Sequence, residues 1–124
     1  MNIHEHQAKD LLKEFGISVP RGVTIYNINE ISEKIKSLSK NILVVKAQIH
    51  SGGRGKAGGI KIVKKREDLV YEASKIFGKI LVTDQTGPQG RKVQRLFIEE
   101  STEIKKEFYL SCLVDKSSSK IAFI

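Results

Sequence analysis

A single cysteine, Cys112, rules out a disulfide within the chain and fits a reducing compartment. No apolar run approaches the roughly 20 residues that a membrane-spanning helix needs, so such a span is excluded. No apolar leader follows Met1, where a polar, capped helical pattern begins at once, and export is not expected. Internal repeats are missing, and low complexity is limited to the serines at 117–119. Between Arg54 and Arg66 there is neither an acid nor an aromatic. The lack of acids matters because the chain carries 22 Lys and Arg against 14 Asp and Glu, a net charge of +8. Setting aside Arg54, Lys56, Lys61, Lys64, Lys65 and Arg66 leaves 16 against 14, so the excess is local. A nucleic-acid binder is one reading of that excess, and a site for one small, highly charged triphosphate is another. The lack of aromatics counts against the first, since single-stranded nucleic acid is gripped by aromatics interleaved with basic residues.

What the chain does have is a dense glycine stretch at 48–59, Gln-Ile-His-Ser-Gly-Gly-Arg-Gly-Lys-Ala-Gly-Gly. Glycine lets backbone N–H groups approach an anion that a larger residue would hold away, and Arg54 and Lys56 add charge at contact range. Alone, the stretch reads equally well as an ordinary mobile hairpin tip. Its neighbour changes the balance. Residues 42–48 are continuously apolar up to Lys46 and predict a strand buried on both faces. A lysine there is either a strand-end side chain reaching for water or a cation waiting for an anion, and the glycine loop would hold an anion within its reach.

Around this centre the pattern predicts an α/β domain. A first helix runs from a cap at Asn2, with Glu5 closing a capping box, to Gly16, and Ala8, Leu11, Leu12 and Phe15 form its apolar stripe. His4 and His6, two positions apart and therefore about 200° around the axis, cannot clamp one metal ion and read as surface or packing residues. Residues 23–26 predict a strand; a second helix starts near Asn27 or Asn29 with Ile31, Ile35 and Leu38 on one face. Residues 60–64 predict the return strand of the glycine hairpin, and residues 66–77 a third helix stopped by Gly78. Strands are predicted at 80–83 and 92–99, with a loop at 84–91 between them. Another is predicted at 107–114, with Phe108, Leu110, Cys112 and Val114 inward and Cys112 a core residue. Residues 121–124 open a further strand with no closing turn, the pattern of a cut chain.

Glu99 and Glu107 flank the bend between the last two long strands. They read either as two solvated carboxylates or as acceptors for a nucleotide's ribose, its base lying in the bend and its phosphates on Lys46 and the glycine loop. The order lysine strand, glycine hairpin, helix, Phe97-Ile98-Glu99-Glu100 and Lys106-Glu107-Phe108-Tyr109-Leu110 is restrictive. With Met1-Asn2-Ile3-His4-Glu5, Gln7-Ala8-Lys9, Val44 to His50, Gly52 to Gly59 and Val114-Asp115, it closely resembles the amino-terminal part of the β subunits of succinate–CoA ligases, also called succinyl-CoA synthetases, over essentially the whole chain.

That resemblance implies an ATP-grasp fold, with residues 1–19 as an amino-terminal helix segment, 20–113 as the lid subdomain and 114–124 as the start of a second subdomain. It implies a ligase of the bacterial cytoplasm that couples ATP or GTP reversibly to the joining of succinate and coenzyme A, through a phosphohistidine on a partner α subunit in a heterodimer or heterotetramer. Matched position by position, Lys46, Gly53, Arg54 and Gly55 would hold the nucleotide phosphates, Glu99 and Thr102 would lie at the base, and Glu107 would accept from the ribose. None of the three histidines would be the phosphorylated one, and His50 would anchor the loop as a donor. Mg²⁺ is expected with the nucleotide, its ligands beyond position 124, and no catalytic residue is expected within these residues. The family's β subunits are much longer, so this chain alone is expected to be inactive. His6 stands where the family usually has an aromatic. A related acid–CoA ligase or citrate-cleaving enzyme would share this segment, because residues that select the acid lie outside it.

Overall fold

The computed structural model describes residues 2–124. A helix at Glu5–Glu14 (α1) is followed by a strand at Gly22–Ile25 (β1) and a helical stretch whose α-helical turn is Ile31–Lys34 (α2), with 3-10 turns on either side. A hairpin of Leu43–Ala47 (β2) and Ile60–Val63 (β3) comes next, then a short helix at Leu69–Ser74 (α3). Ile80–Leu81 (β4) pairs with Arg91–Lys92 (β5), and Leu96–Glu100 (β6) precedes a closing hairpin of Cys112–Asp115 (β7) and Lys120–Phe123 (β8).

The main sheet is antiparallel, in the order β1-β6-β2-β3. Val45 faces Ile98 and Leu43 faces Glu100, so β2 and β6 turn Leu43, Val45, Ala47, Leu96 and Ile98 to one side. These pack with Ile31, Ile35 and Leu38 from the second helical stretch and Leu69, Ala73 and Ile76 from the third, forming a single apolar core. Each fully buried Leu or Ile contributes roughly 1.5–3 kcal/mol. Local signals set the helix starts. The Asn27 side chain accepts from the Asn29 amide, and Glu30 accepts from the amides of Tyr26 and Asn27, as the sequence predicts for a helix beginning there. Arg66 donates to the carbonyls of Ile35, Leu38 and Lys40 and so caps the end of the preceding helical stretch.

Several expectations are corrected. The helix cap is His4, whose amide donates to Gln7, and not Asn2. The stripe of Leu11, Leu12 and Phe15 faces outward, Phe15 being 83% exposed, while α1 turns Glu5, His6 and Lys9 toward the sheet. Periodicity reports which residues share a face; here the polar face docks, because the sheet offers it Lys46 and Glu99 as ionic partners beside the Phe97 ring. β2 is buried on one face only: its Val44 and Lys46 are half-buried on the other. The strand expected at 92–99 is interrupted after Lys92, where the Val93 amide bonds the Lys79 carbonyl, and resumes at Leu96. Residues 102–111 form no strand, and Phe108, Leu110 and Cys112 are exposed. Alternation alone cannot bury a strand; an opposing layer is needed, and the described residues supply none over β7 and β8.

Candidate functional site

The site lies on the sheet face opposite the core, beneath α1. Lys46 stands on β2 opposite Phe97 and Ile60, and Glu99 stands on β6 opposite Val44, so Lys46 and Glu99 are diagonal neighbours on one face. Their side chains form an ion pair, and Lys9 of α1 pairs with the same carboxylate. Glu99 is 4% exposed. Glu5, one turn before Lys9, accepts from Lys46 Nζ at 3.0 Å through Oε1 and from Arg54 Nη2 at 2.7 Å through Oε2. Arg54 also donates through Nη1 to the Ala47 carbonyl at 2.7 Å, which fixes the guanidinium against the end of β2. Three cations and two carboxylates thus share one cluster, leaving one net positive charge.

The electrostatics follow from this geometry. Burial alone pushes the Glu5 carboxyl up, but hydrogen bonds from Arg54 and Lys46 outweigh it and hold the group at about 2. Burial likewise pulls the Lys46 ammonium down, and Glu99 and Glu5 overcome that pull and raise it above its ordinary value. The anion that the sequence requires for Lys46 is therefore provided twice from within the chain.

The glycine loop between β2 and β3 is held at both ends. The Gly59 carbonyl accepts from the Ala47 amide at 2.7 Å, the Gly59 amide donates to the Arg54 carbonyl at 2.7 Å, and the Gly52 amide donates to Gln85 Oε1 at 2.7 Å. Gly53 has φ of +73°, which a residue with a Cβ adopts only under strain. Among the described residues no acceptor engages the amides of Gly53, Arg54, Gly55 and Lys56, an array of donors suited to an anion.

Two clefts flank the cluster. One of about 390 Å³ is mostly aliphatic, lined by Pro20, Val44, Ile60, Ile62 and Ile104, and is bounded by Lys9, Lys46, Glu99 and Thr102. The other, of about 440 Å³, lies between the amino-terminal segment and the glycine loop, against Glu5, His50, Ser51, Gly52, Arg54 and Gln85. His50 enters the structure by stacking on His4, with centroids 3.9 Å apart. Burial, then the charges of His50 and Arg95, lower His4 to about 4. Burial also lowers His6, whose amide is held by Gln48.

Of the residues singled out from the sequence, Lys46, Arg54 and Glu99 are brought together, with Gly53 and Gly55 in the loop beside them and Thr102 at the aliphatic cleft. Glu107 is exposed, makes no contact within the cluster and lines none of these clefts. Sequence reasoning missed Glu5 and Lys9. Their signal was an i,i+4 acid–base pair on the helix nearest a lysine that needed a counter-charge.

Fold and cluster describe an α/β domain in which a glycine hairpin and a helix bring an ion cluster onto one face of an antiparallel sheet. The chain belongs to the ATP-grasp family, whose domain matches residues 2–124. It is 60% identical over 124 residues to a protein of Pelagibacter ubique named succinate–CoA ligase (ADP-forming) subunit beta. It is 51% and 49% identical to proteins of the same name from Delftia acidovorans and Geobacillus thermodenitrificans. In each case the match covers all of this chain and 32% of the relative, so the chain spans about a third of the length of the curated relatives it matches.

Proposed function

We propose that this chain is the nucleotide-binding part of the β subunit of a succinate–CoA ligase, with residues 20–113 as its lid subdomain, 1–19 as the helix that backs it and 114–124 as the start of the next. The observation that carries the reading is the convergence of Lys46, on β2, and Arg54, within the glycine loop, on one carboxylate, with Lys46 at the edge of an aliphatic cleft of about 390 Å³. A nucleotide needs those two surfaces: an apolar wall for its base and fixed cations with free amides for its phosphates. The base lies against Val44 and Ile62 near Thr102 and Glu99, and the phosphates reach Lys46, Arg54 and the amides of Gly53 and Gly55. Glu107, on its exposed segment, accepts from the ribose. ATP or GTP would satisfy this arrangement. The protein's part in phosphoryl transfer is then to position the chain of phosphates and neutralise its charge. Mg²⁺ accompanies the nucleotide, with ligands outside these residues. The α subunit, carrying the phosphohistidine, is the partner, and the enzyme works in the cytoplasm.

The test is titration calorimetry with ATP and with GTP, with and without Mg²⁺, on the chain and on Lys46→Ala, Arg54→Ala and Glu107→Ala variants whose folding is checked by circular dichroism. Binding that is lost in the first two variants and weakened in the third is the expected result. Equal binding by folded Arg54→Ala and the unsubstituted chain would overturn the site.

A further inference from the structure

The Glu5 carboxylate holds the same two cations that the proposed function gives to phosphate. Lys46 Nζ already serves Glu5 and Glu99, and the two terminal guanidinium nitrogens of Arg54, Nη1 and Nη2, are committed to Ala47 and Glu5. A phosphate arriving at Lys46 and Arg54 would meet a carboxylate at contact distance, with like charges in a half-buried site. With Glu5 in place the cluster carries one net positive charge; without it, two, a better match for a di- or triphosphate. The helix that bears Glu5 is also held unusually. It meets the sheet through the ion pairs of Glu5 and Lys9, the bond from the His6 amide to Gln48 and the packing of His6 and Lys9 on Phe97, a residue outside the main apolar core, while its leucines and Phe15 face outward. Exchange of one anion for another can therefore release its first turn without opening the apolar core.

We propose that Glu5 is an internal competitor for the phosphate position: a nucleotide binds by taking Lys46 and Arg54 from it, and α1 loosens as it does. This rests on the nucleotide reading above. It makes Glu5 a determinant of phosphate affinity and not of base recognition, because the aliphatic cleft can receive a base without disturbing the carboxylate. If Glu5 occupies the cations nine-tenths of the time, the apparent affinity for phosphate is about 10-fold below that of the free cations.

The experiment compares ATP and adenosine on the chain and on Glu5→Gln, which keeps the side chain's size and removes its charge. ATP should bind the variant about 10-fold more tightly, while adenosine affinity stays the same. Independently, hydrogen exchange on the unsubstituted chain should show the amides of α1 losing protection when ATP is added, a readout that does not require the variant to fold. If ATP binds and is lost in Arg54→Ala, but Glu5→Gln weakens or preserves that binding, the competitor role is overturned while the nucleotide site stands. Constant or rising protection of α1 on adding ATP has the same meaning. If neither the chain nor Glu5→Gln binds ATP, the nucleotide reading falls and this proposal falls with it.

Discussion

Removing the charge of Glu5 should change how stability depends on pH, and the structure sets the size of the change. The carboxyl sits at about 2 in the folded chain against an ordinary 4.5. A carboxyl that holds its proton less tightly when folded stabilises the fold above its unfolded pKa and loses that contribution as pH falls from 4.5 toward 2. At about 1.4 kcal/mol per pKa unit, the gap corresponds to about 3 kcal/mol at pH 7. At pH 3, where the unfolded carboxyl is almost fully protonated and the folded one is still mostly ionised, only about 1 kcal/mol remains. Urea unfolding of the chain and of Glu5→Gln at pH 7 and pH 3 measures both values. The variant should be the less stable at pH 7, and the difference should shrink by roughly 2 kcal/mol at pH 3. A difference that is the same at both pH values would mean that Glu5 acts through its shape and not its charge, and would refute the ionic account of how α1 is docked.

Two further outcomes follow from the geometry. In Gly59→Ala the new Cβ would lie 2.5 Å from the buried Leu81 Cδ1 and 3.1 Å from the Arg54 carbonyl, so the hairpin must shift; a loss of about 1–3 kcal/mol in urea unfolding is expected. Wild-type stability in that variant would show that the hairpin closes less tightly than described. His4, lowered to about 4 chiefly by burial and then by His50 and Arg95, should stay neutral in an NMR titration until pH falls toward 4. Its contribution to stability is complete above 6.5 and is lost as pH falls from 6.5 to about 4; titration of the ring near 6.5 would place it in solvent and not in the stack.

The parts of the fold that could be read from the sequence are those fixed by near neighbours. The glycine hairpin is legible because β2 and β3 are neighbours in sequence joined by one loop, residues 48–59, rich in turn residues, and the helix at Ile31–Lys34 because Asn27 and Glu30 cap it locally. Of the site, Lys46, Arg54 and Glu99 were legible, since a cation in an apolar strand, a glycine-rich loop and an acid at a strand end each stand out. Glu5 and Lys9 were not. Their partners are 41 and 90 residues away, and i,i+4 acid–base pairs are so common on solvated helices that this one carried no local distinction. Phe108 and Leu110 misled for the opposite reason: their alternation describes a strand only where another layer covers it, and whether a layer is present is not a local property.

The sheet order has a consequence for how the chain is made. β1 and β2 do not pair with each other; both are bonded to β6, which is synthesised last of the four strands and lies between them. Until Glu100 has left the ribosome the nascent polypeptide owns a hairpin and some helical turns, but its middle strand is missing. For all that time Lys46 can meet Glu5 but not Glu99. Folding of this segment during translation should therefore proceed as one late event, when a single arriving strand closes the sheet and completes the ion cluster together.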